Sequence, residues 1–139
     1  MEEFFQTADQ WGPYKVVHIN RPAVGLRAVV AIDNIACGTA IGGARIATDV
    51  SVSEACRLAR AMTLKNAAAG LAHGGGKSVI FADPRMPPAE KERLIRAFAG
   101  AIADITDYIV GPDMGTDERC MGWIKDEIGR AVGLPDRKS

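Results

Sequence analysis

The sequence has no run approaching the ~20 apolar residues needed to cross a bilayer. Its N-terminus, Met1-Glu2-Glu3-Phe4, has neither the basic flank nor the apolar stretch of a leader. No membrane partner is expected, and the chain reads as cytoplasmic. It has no excess of charge either: 17 basic side chains face 17 acidic ones. Without a net field to attract nucleic acid, none is expected as a partner, and any charged site must be local. Cysteine is scarce. Cys37, Cys56 and Cys120 fit neither a disulfide framework nor a CxxC pair, which predicts buried or neutral thiols. His18 and His73 are isolated from each other and from the cysteines, so no metal site is expected. Internal repeats, low-complexity tracts and linkers are also missing. What remains is 139 residues, 47% hydrophobic and 24% charged, the profile of one globular domain over residues 1–139. Zero net charge also weakens the barrier to self-association.

The first dozen residues suggest an N-terminal helix, punctuated by Gly12-Pro13. Tyr14–Asn20 and Leu26–Asp33 are rich in β-branched residues and flank a turn-like insert, Arg21–Gly25, which predicts an antiparallel pair. A third strand is expected over Thr39–Ala47, interrupted by Gly42-Gly43, where the missing side chains invite close approach to the backbone, by a ligand among other candidates. Ser51 and Glu54 have capping-box spacing and open a helix running to about Ala69, with Gly70 as its stop. Ser78–Ala82 reads as a buried strand. A second helix follows from Pro87-Pro88 to about Asp104, then a short strand Tyr108–Val110. A last helix is expected over Thr116–Arg130, stopped by Gly133-Leu134-Pro135 before a polar tail, Asp136–Ser139. Strands alternating with helices of this length predict a three-layer α/β/α domain whose mainly parallel sheet has an antiparallel N-terminal edge.

Gly74-Gly75-Gly76-Lys77-Ser78 looks at first like a phosphate loop, but the position where such a loop needs its first glycine is Leu71. The order is also reversed, since these glycines follow a helix and Lys77 opens a strand. The run is better read as a turn that delivers Lys77 to a buried strand. Lys65, near the end of the preceding helix, lies at the same end of the layers, so the two lysines can share a cleft. Two neighbouring, partly desolvated ammonium groups disfavour each other's charge, and a catalytic lysine can be lowered to roughly 7–8 in this way. Asp113 follows a strand in Gly111-Pro112-Asp113-Met114-Gly115-Thr116, a place where open α/β sheets gather ligands. It is either a proton-exchanging carboxylate beside the lysines or an ordinary turn or N-cap residue, although Thr116 and Asp117 compete for the cap. Glu90, Lys91, Glu92, Arg93 and Arg96 read as a solvated helix face.

Four blocks in order, Gly42-Gly43-Ala44-Arg45, Ala61-Met62-Thr63-Leu64-Lys65-Asn66-Ala67, Gly74-Gly75-Gly76-Lys77 and Asp113-Met114-Gly115-Thr116, closely resemble the glutamate/leucine/phenylalanine/valine dehydrogenase family. The resemblance runs from about Gly25 to Pro135 and points to that family's N-terminal domain, which binds the amino acid and forms subunit contacts. It implies that Lys65 binds the substrate α-carboxylate beside the Gly42-Gly43 backbone. Lys77 would be the catalytic lysine that polarises the carbonyl and activates water, and Asp113 would pass protons to and from the substrate nitrogen. The implied reaction is reversible oxidative deamination of an L-amino acid to a 2-oxo acid and ammonia, with NAD or NADP as hydride acceptor.

Two departures matter. Glutamate-specific members resemble this chain but carry lysine immediately before the Gly-Gly pair, where this chain has Ile41. An apolar residue cannot pair with a distal carboxylate. The expected substrates therefore have apolar side chains, with Met62 and Gly111 as further neighbours of the pocket. The second departure is that no GxGxxG follows a strand anywhere, so no cofactor is expected to bind this chain alone and NAD or NADP belongs to a Rossmann domain elsewhere. The expected entity is then an excised fragment, a truncated or split gene product working with a separate Rossmann-domain partner, or a domain kept for binding. A homo-oligomer, dimer or higher, is expected. The competing readings are a non-enzymatic assembly module, dimerising through Tyr14–Asn20 or Leu26–Asp33 as an edge strand, and a phosphate binder acting through Gly74–Ser78.

Overall fold

A computed structural model describes residues 5–135. The first four residues and the expected polar tail Asp136–Ser139 lie outside them. Strand β1 (Lys15–Arg21), β2 (Leu26–Ile32), β3 (Ala40–Ala47), helix α1 (Val52–Ala68), β4 (Gly76–Phe81), α2 (Pro88–Ile102), β5 (Tyr108–Pro112) and α3 (Glu118–Ile128) follow in order. The five strands form one sheet in the order β1-β2-β4-β3-β5. β1 and β2 pair antiparallel from Lys15↔Ile32 to Arg21↔Leu26. β2 also pairs antiparallel with β4, so the antiparallel edge reaches one strand further than the sequence suggests. β4, β3 and β5 are mutually parallel. Leu26–Asp33 is thus an interior strand, and only β1 of the N-terminal pair is an edge.

Side chains alternate across a strand, so each face of the sheet collects its own core. One face carries Leu26, Ala28, Val30 and Ile32 of β2 with Ala44, Ile46, Ile80 and Val110, covered by Leu94, Ile95, Phe98 and Ile102 of α2 and Met121 and Ile124 of α3. Each large side chain buried there stabilises the fold by about 1.5–3 kcal/mol. The opposite face buries Val29, Ala31 and Val79 under Ala55, Cys56 and Ala59 of α1. The helix residues at this contact are small, which lets α1 lie close. It packs over β2 and β4, reaches only the near side of β3, and leaves β5 uncovered on this face.

The helix ends follow local chemistry with three departures. Ser51 Oγ accepts from Glu54 N at 3.1 Å, but Glu54 does not return a bond to Ser51, so the capping box is half formed. Asp117 caps α3 by accepting from Cys120 N at 2.9 Å. That helix ends at Gly129 (φ 77°), ahead of the expected Gly133-Leu134-Pro135 stop, because Gly129 takes the left-handed cap and bonds Lys125 O. The described part of the first dozen residues holds turns in place of the expected helix. Asp9 accepts from Trp11 N and Gly12 N and folds the segment back on itself. The charged face of α2 is partly structural, because Arg96 bonds Glu92, Asp126 and Glu127 and ties α2 to α3. Cys56 and Cys120 are buried and Cys37 is exposed. No helix among the described residues is long and apolar enough to cross a membrane.

Candidate active site

On the α1 face, strand register arranges the chemistry in rows. Gly43 of β3 pairs with Gly111 of β5, and the β3–β4 register places Gly43 beside Lys77. One row toward the strand starts, Ile41 faces Gly75 of the glycine turn and pairs with Ile109. One row the other way stand Arg45 and, just past the end of β5, Asp113. Gly43 and Gly111 thus lie side by side on the sheet surface beside Lys77, with Ile41 one row away along the strands and Asp113 one row the other way, and the Asp113 and Val132 side chains pack against them. The stagger of the strands is decisive: the last residue of β5, Pro112, is level with Ala44, which is level with Ser78 near the start of β4. A residue beyond one strand's carboxyl end thereby meets a residue at another's beginning.

Lys77 Nζ lies 3.0 Å from Asp113 Oδ1, and its side chain is only 6% exposed. Arg45 Nε donates to Asp113 Oδ2 at 2.7 Å. Burial pushes the Asp113 carboxyl up, but the hydrogen bonds from Arg45 and Lys77 outweigh it and hold it below the usual carboxylate range. Asp113 is not a cap; the loop around it is fixed by Thr116, whose Oγ1 accepts from Asp113 N at 2.9 Å and donates to Ala44 O at 2.8 Å. Lys65 is exposed in the last turn of α1, and no ion pair or hydrogen bond ties it to Lys77 or Asp113. The charge beside Lys77 is thus a carboxylate, where the sequence suggested a second ammonium. Lys65 still stands next to the glycine turn, because Asn66 Nδ2 donates to Gly74 O at 2.9 Å and Thr63 Oγ1 accepts from Gly75 N at 3.1 Å. Met62 is half-buried on the same stretch of helix.

The glycines have packing reasons. A Cβ on Gly42 would lie 1.5 Å from Gly76 O, and one on Gly43 would lie 2.7 Å from both Asp113 Cβ and Pro112 O. What approaches these residues is protein backbone and the Asp113 side chain, with no ligand needed to explain them. A Cβ on Gly75 would meet Ala59 O and Thr63 N at 2.2 Å, and one on Gly74 would meet Asn34 O at 1.5 Å. The turn is filled by its own protein neighbours, so it offers no phosphate cradle. On the opposite face of the sheet the buried Tyr108 hydroxyl donates to Gly42 O at 2.9 Å and lies 2.5 Å from Ser78 Oγ. Burial pushes its phenol up.

Sequence reasoning missed the support of the turn. Asp33, 1% exposed, accepts from Thr63 Oγ1 at 2.7 Å and from Arg60 Nε at 2.9 Å. Arg60 reaches on to Asp9 with both terminal nitrogens. The signal available was Asp33 itself, a carboxylate at the end of a strongly apolar strand, which burial would oblige to find partners. Arg45 stood in a quoted block without a role, and its place two residues after Gly43 puts it on the same sheet face.

A mixed sheet with helices on both faces and a lysine–carboxylate pair on one of them defines an α/β domain with a candidate proton-transfer site. Residues 13–130 match the family model described as Glu/Leu/Phe/Val dehydrogenase, dimerisation domain, and the chain belongs to that family. It is 38% identical to a leucine dehydrogenase of Bacillus subtilis (strain 168), over 95% of this chain and 37% of the relative. It is 41% identical to a valine dehydrogenase of Streptomyces coelicolor, over 78% of this chain and 31% of the relative. Among solved structures, an L-tryptophan dehydrogenase from Nostoc punctiforme matches with TM-score 0.82 and 28% identity over 92% of this chain and 39% of its own. A hetero-hexameric glutamate dehydrogenase from Thermus thermophilus in a Leu-bound form gives TM-score 0.82 and 32% identity over 88% of this chain and 34% of its own. The chain thus spans between 31% and 39% of the length of these relatives.

Proposed function

We propose that this chain is the substrate-binding and oligomerisation domain of an NAD(P)-dependent amino-acid dehydrogenase with a preference for apolar L-amino acids. The observation that carries the reading is the ion pair at 3.0 Å between the buried Lys77 and the half-buried Asp113, beside Gly43 and Gly111. In the overall reaction an L-amino acid and water give a 2-oxo acid and ammonia, while the nicotinamide accepts the hydride. The described residues do not fit a dinucleotide, because the one glycine-rich turn is filled by protein backbone. The chemistry assigned to them is therefore binding and proton transfer. Lys65 holds the α-carboxylate at the rim as an exposed cation. Lys77 donates a hydrogen bond to the reacting centre and, as a free amine, takes a proton from attacking water. Asp113, paired with Lys77, receives and returns the proton of the substrate nitrogen. Ile41, half-buried on the same face as Lys77, offers a distal carboxylate no partner, and Gly111 and Met62 complete the apolar surroundings. A carboxylate there would be desolvated without compensation. Isothermal titration with L-leucine and L-glutamate tests the reading: leucine is expected to bind more tightly, and tighter glutamate binding overturns it.

A second reading, assembly without catalysis, draws on the outer edge of β1, which has no strand partner among the described residues. Beside it Tyr14, Val16, His18 and Val52 line two adjoining hollows. Pairing of β1 across a two-fold axis makes a dimer under either reading. Light scattering distinguishes dimer from monomer, and absence of any amino-acid binding by a stable dimer favours the second.

A further inference from the structure

The Lys77–Asp113 pair is one end of a longer charge row. Asp113 divides its oxygens, Oδ1 to Lys77 at 3.0 Å and Oδ2 to Arg45 at 2.7 Å. Arg45 Nη1 then lies 3.7 Å from Glu54 Oε1, in the first turn of α1. That oxygen is buried and has no hydrogen-bond partner. Glu54 has also left its capping box half formed, forgoing the return bond to Ser51 N. Leaving a buried carboxylate oxygen unbonded is costly, so the attraction to the Arg45 guanidinium is what holds Glu54 in this orientation. Four groups thus alternate in sign: Lys77 of β4, Asp113 just past β5, Arg45 of β3 and Glu54 of α1.

We propose that Arg45 is a positioning residue, backed by Glu54, that aligns the Asp113 carboxylate and sets how firmly Asp113 holds the Lys77 ammonium. Arg45 shares the carboxylate's charge, so Asp113 holds the Lys77 ammonium less firmly than an isolated carboxylate would. Glu54 draws on Arg45 from behind and weakens that effect. The groups facing Asp113 are Arg45 from β3 and Lys77 from β4, with Glu54 of α1 behind Arg45 and the buried Tyr108 hydroxyl of β5 on the far side of the sheet. The catalytic value of this tuning rests on the function proposed above; the charge coupling does not.

The test uses the chain without ligand. Trace acylation with acetic anhydride near neutral pH reports the free-amine fraction of Lys77, with exposed Lys65 as internal reference, and carboxyl-carbon NMR follows Asp113. Removing Arg45 as Arg45→Gln is expected to slow Lys77 labelling about tenfold, the equivalent of one unit, and to raise the Asp113 midpoint by about one unit or more. Glu54→Gln is expected to speed Lys77 labelling, and Arg45→Lys to fall between wild type and Arg45→Gln. A packing role alone does not give shifts of opposite sign. Unchanged labelling in both Arg45→Gln and Glu54→Gln, or shifts of the same sign, overturns the proposal. Should Arg45→Gln fail to fold, Glu54→Gln decides, because Glu54 Oε1 has no hydrogen bond to lose. Failure of wild type to bind L-leucine would strike the functional reading and leave the labelling result intact.

Discussion

Replacing Asp33 by alanine tests how the turn that delivers Lys77 is held. The carboxylate accepts from Arg60 Nε at 2.9 Å and Thr63 Oγ1 at 2.7 Å, and Thr63 in turn accepts from Gly75 N, two residues before Lys77. Breaking a buried ion pair by removing one partner costs roughly 3–5 kcal/mol. Arg60 is 29% exposed and keeps its bonds to Asp9, so part of its charge stays compensated. The Thr63 hydroxyl can fall back on Ala59 O, now at a weak 3.4 Å. The expected loss is therefore about 2–3 kcal/mol, or roughly 6–10 °C in Tm for a domain of this size. Urea unfolding followed by circular dichroism gives the free energy, and amide exchange at Gly75 gives the local effect. Exchange at Gly75 should accelerate more than at Val30 in the centre of β2. A loss under about 1 kcal/mol, or unchanged exchange at Gly75, refutes the idea that Asp33 anchors the turn through Thr63.

Other outcomes follow from the same geometry. Gly42→Ala puts a methyl 1.5 Å from Gly76 O and should cost about 3 kcal/mol or more in urea unfolding, whereas Gly100→Ala, in α2 with only Arg21 Nη1 at 4.0 Å, should stabilise by about 0.5–1 kcal/mol. Asp113 and Asp117 are both held below their ordinary value of 3.8, Asp113 against its burial by Arg45 and Lys77, and Asp117 mainly by the Cys120 N–H. The unfolded chain takes up these protons first, so the stability they give is complete above the ordinary value and lost as pH falls through the lower folded ones. The urea midpoint should hold steady down to about pH 5 and drop below about pH 4, with a smaller acid loss in Asp117→Asn; an equal loss in that variant contradicts the assignment. Ile41→Lys should move calorimetric preference from L-leucine toward L-glutamate by about tenfold or more, since it supplies the missing counter-charge.

Much of this fold was legible because its local signals agree. The β-branched runs gave β1 and β2 to within a residue, Ser51 opened α1, and the reversed order of helix, glycines and lysine correctly set the turn apart from a phosphate loop. The N-terminal segment misled because nothing in its pattern reveals that Asp9 will turn it back toward Arg60. Glu54 misled in a different way, since capping-box spacing was present while Arg45, on the preceding strand, drew the carboxylate away. Lys77 and Asp113 could be named from their motifs, but their meeting depends on the stagger of β5 against β4, which no local pattern encodes. The reason for Gly42 and Gly43 was likewise tertiary: a neighbouring strand and the Asp113 side chain fill the space.

The most direct test of the central claim is a heteronuclear NMR titration of the chain with L-leucine at millimolar concentration. Saturable shifts are predicted at Ile41, Gly43, Lys65, Lys77 and Gly111, and they should disappear in Lys77→Ala. No shift at these residues, or the same shifts in Lys77→Ala, would contradict the assignment of the surroundings of Lys77 and Asp113 as an amino-acid site.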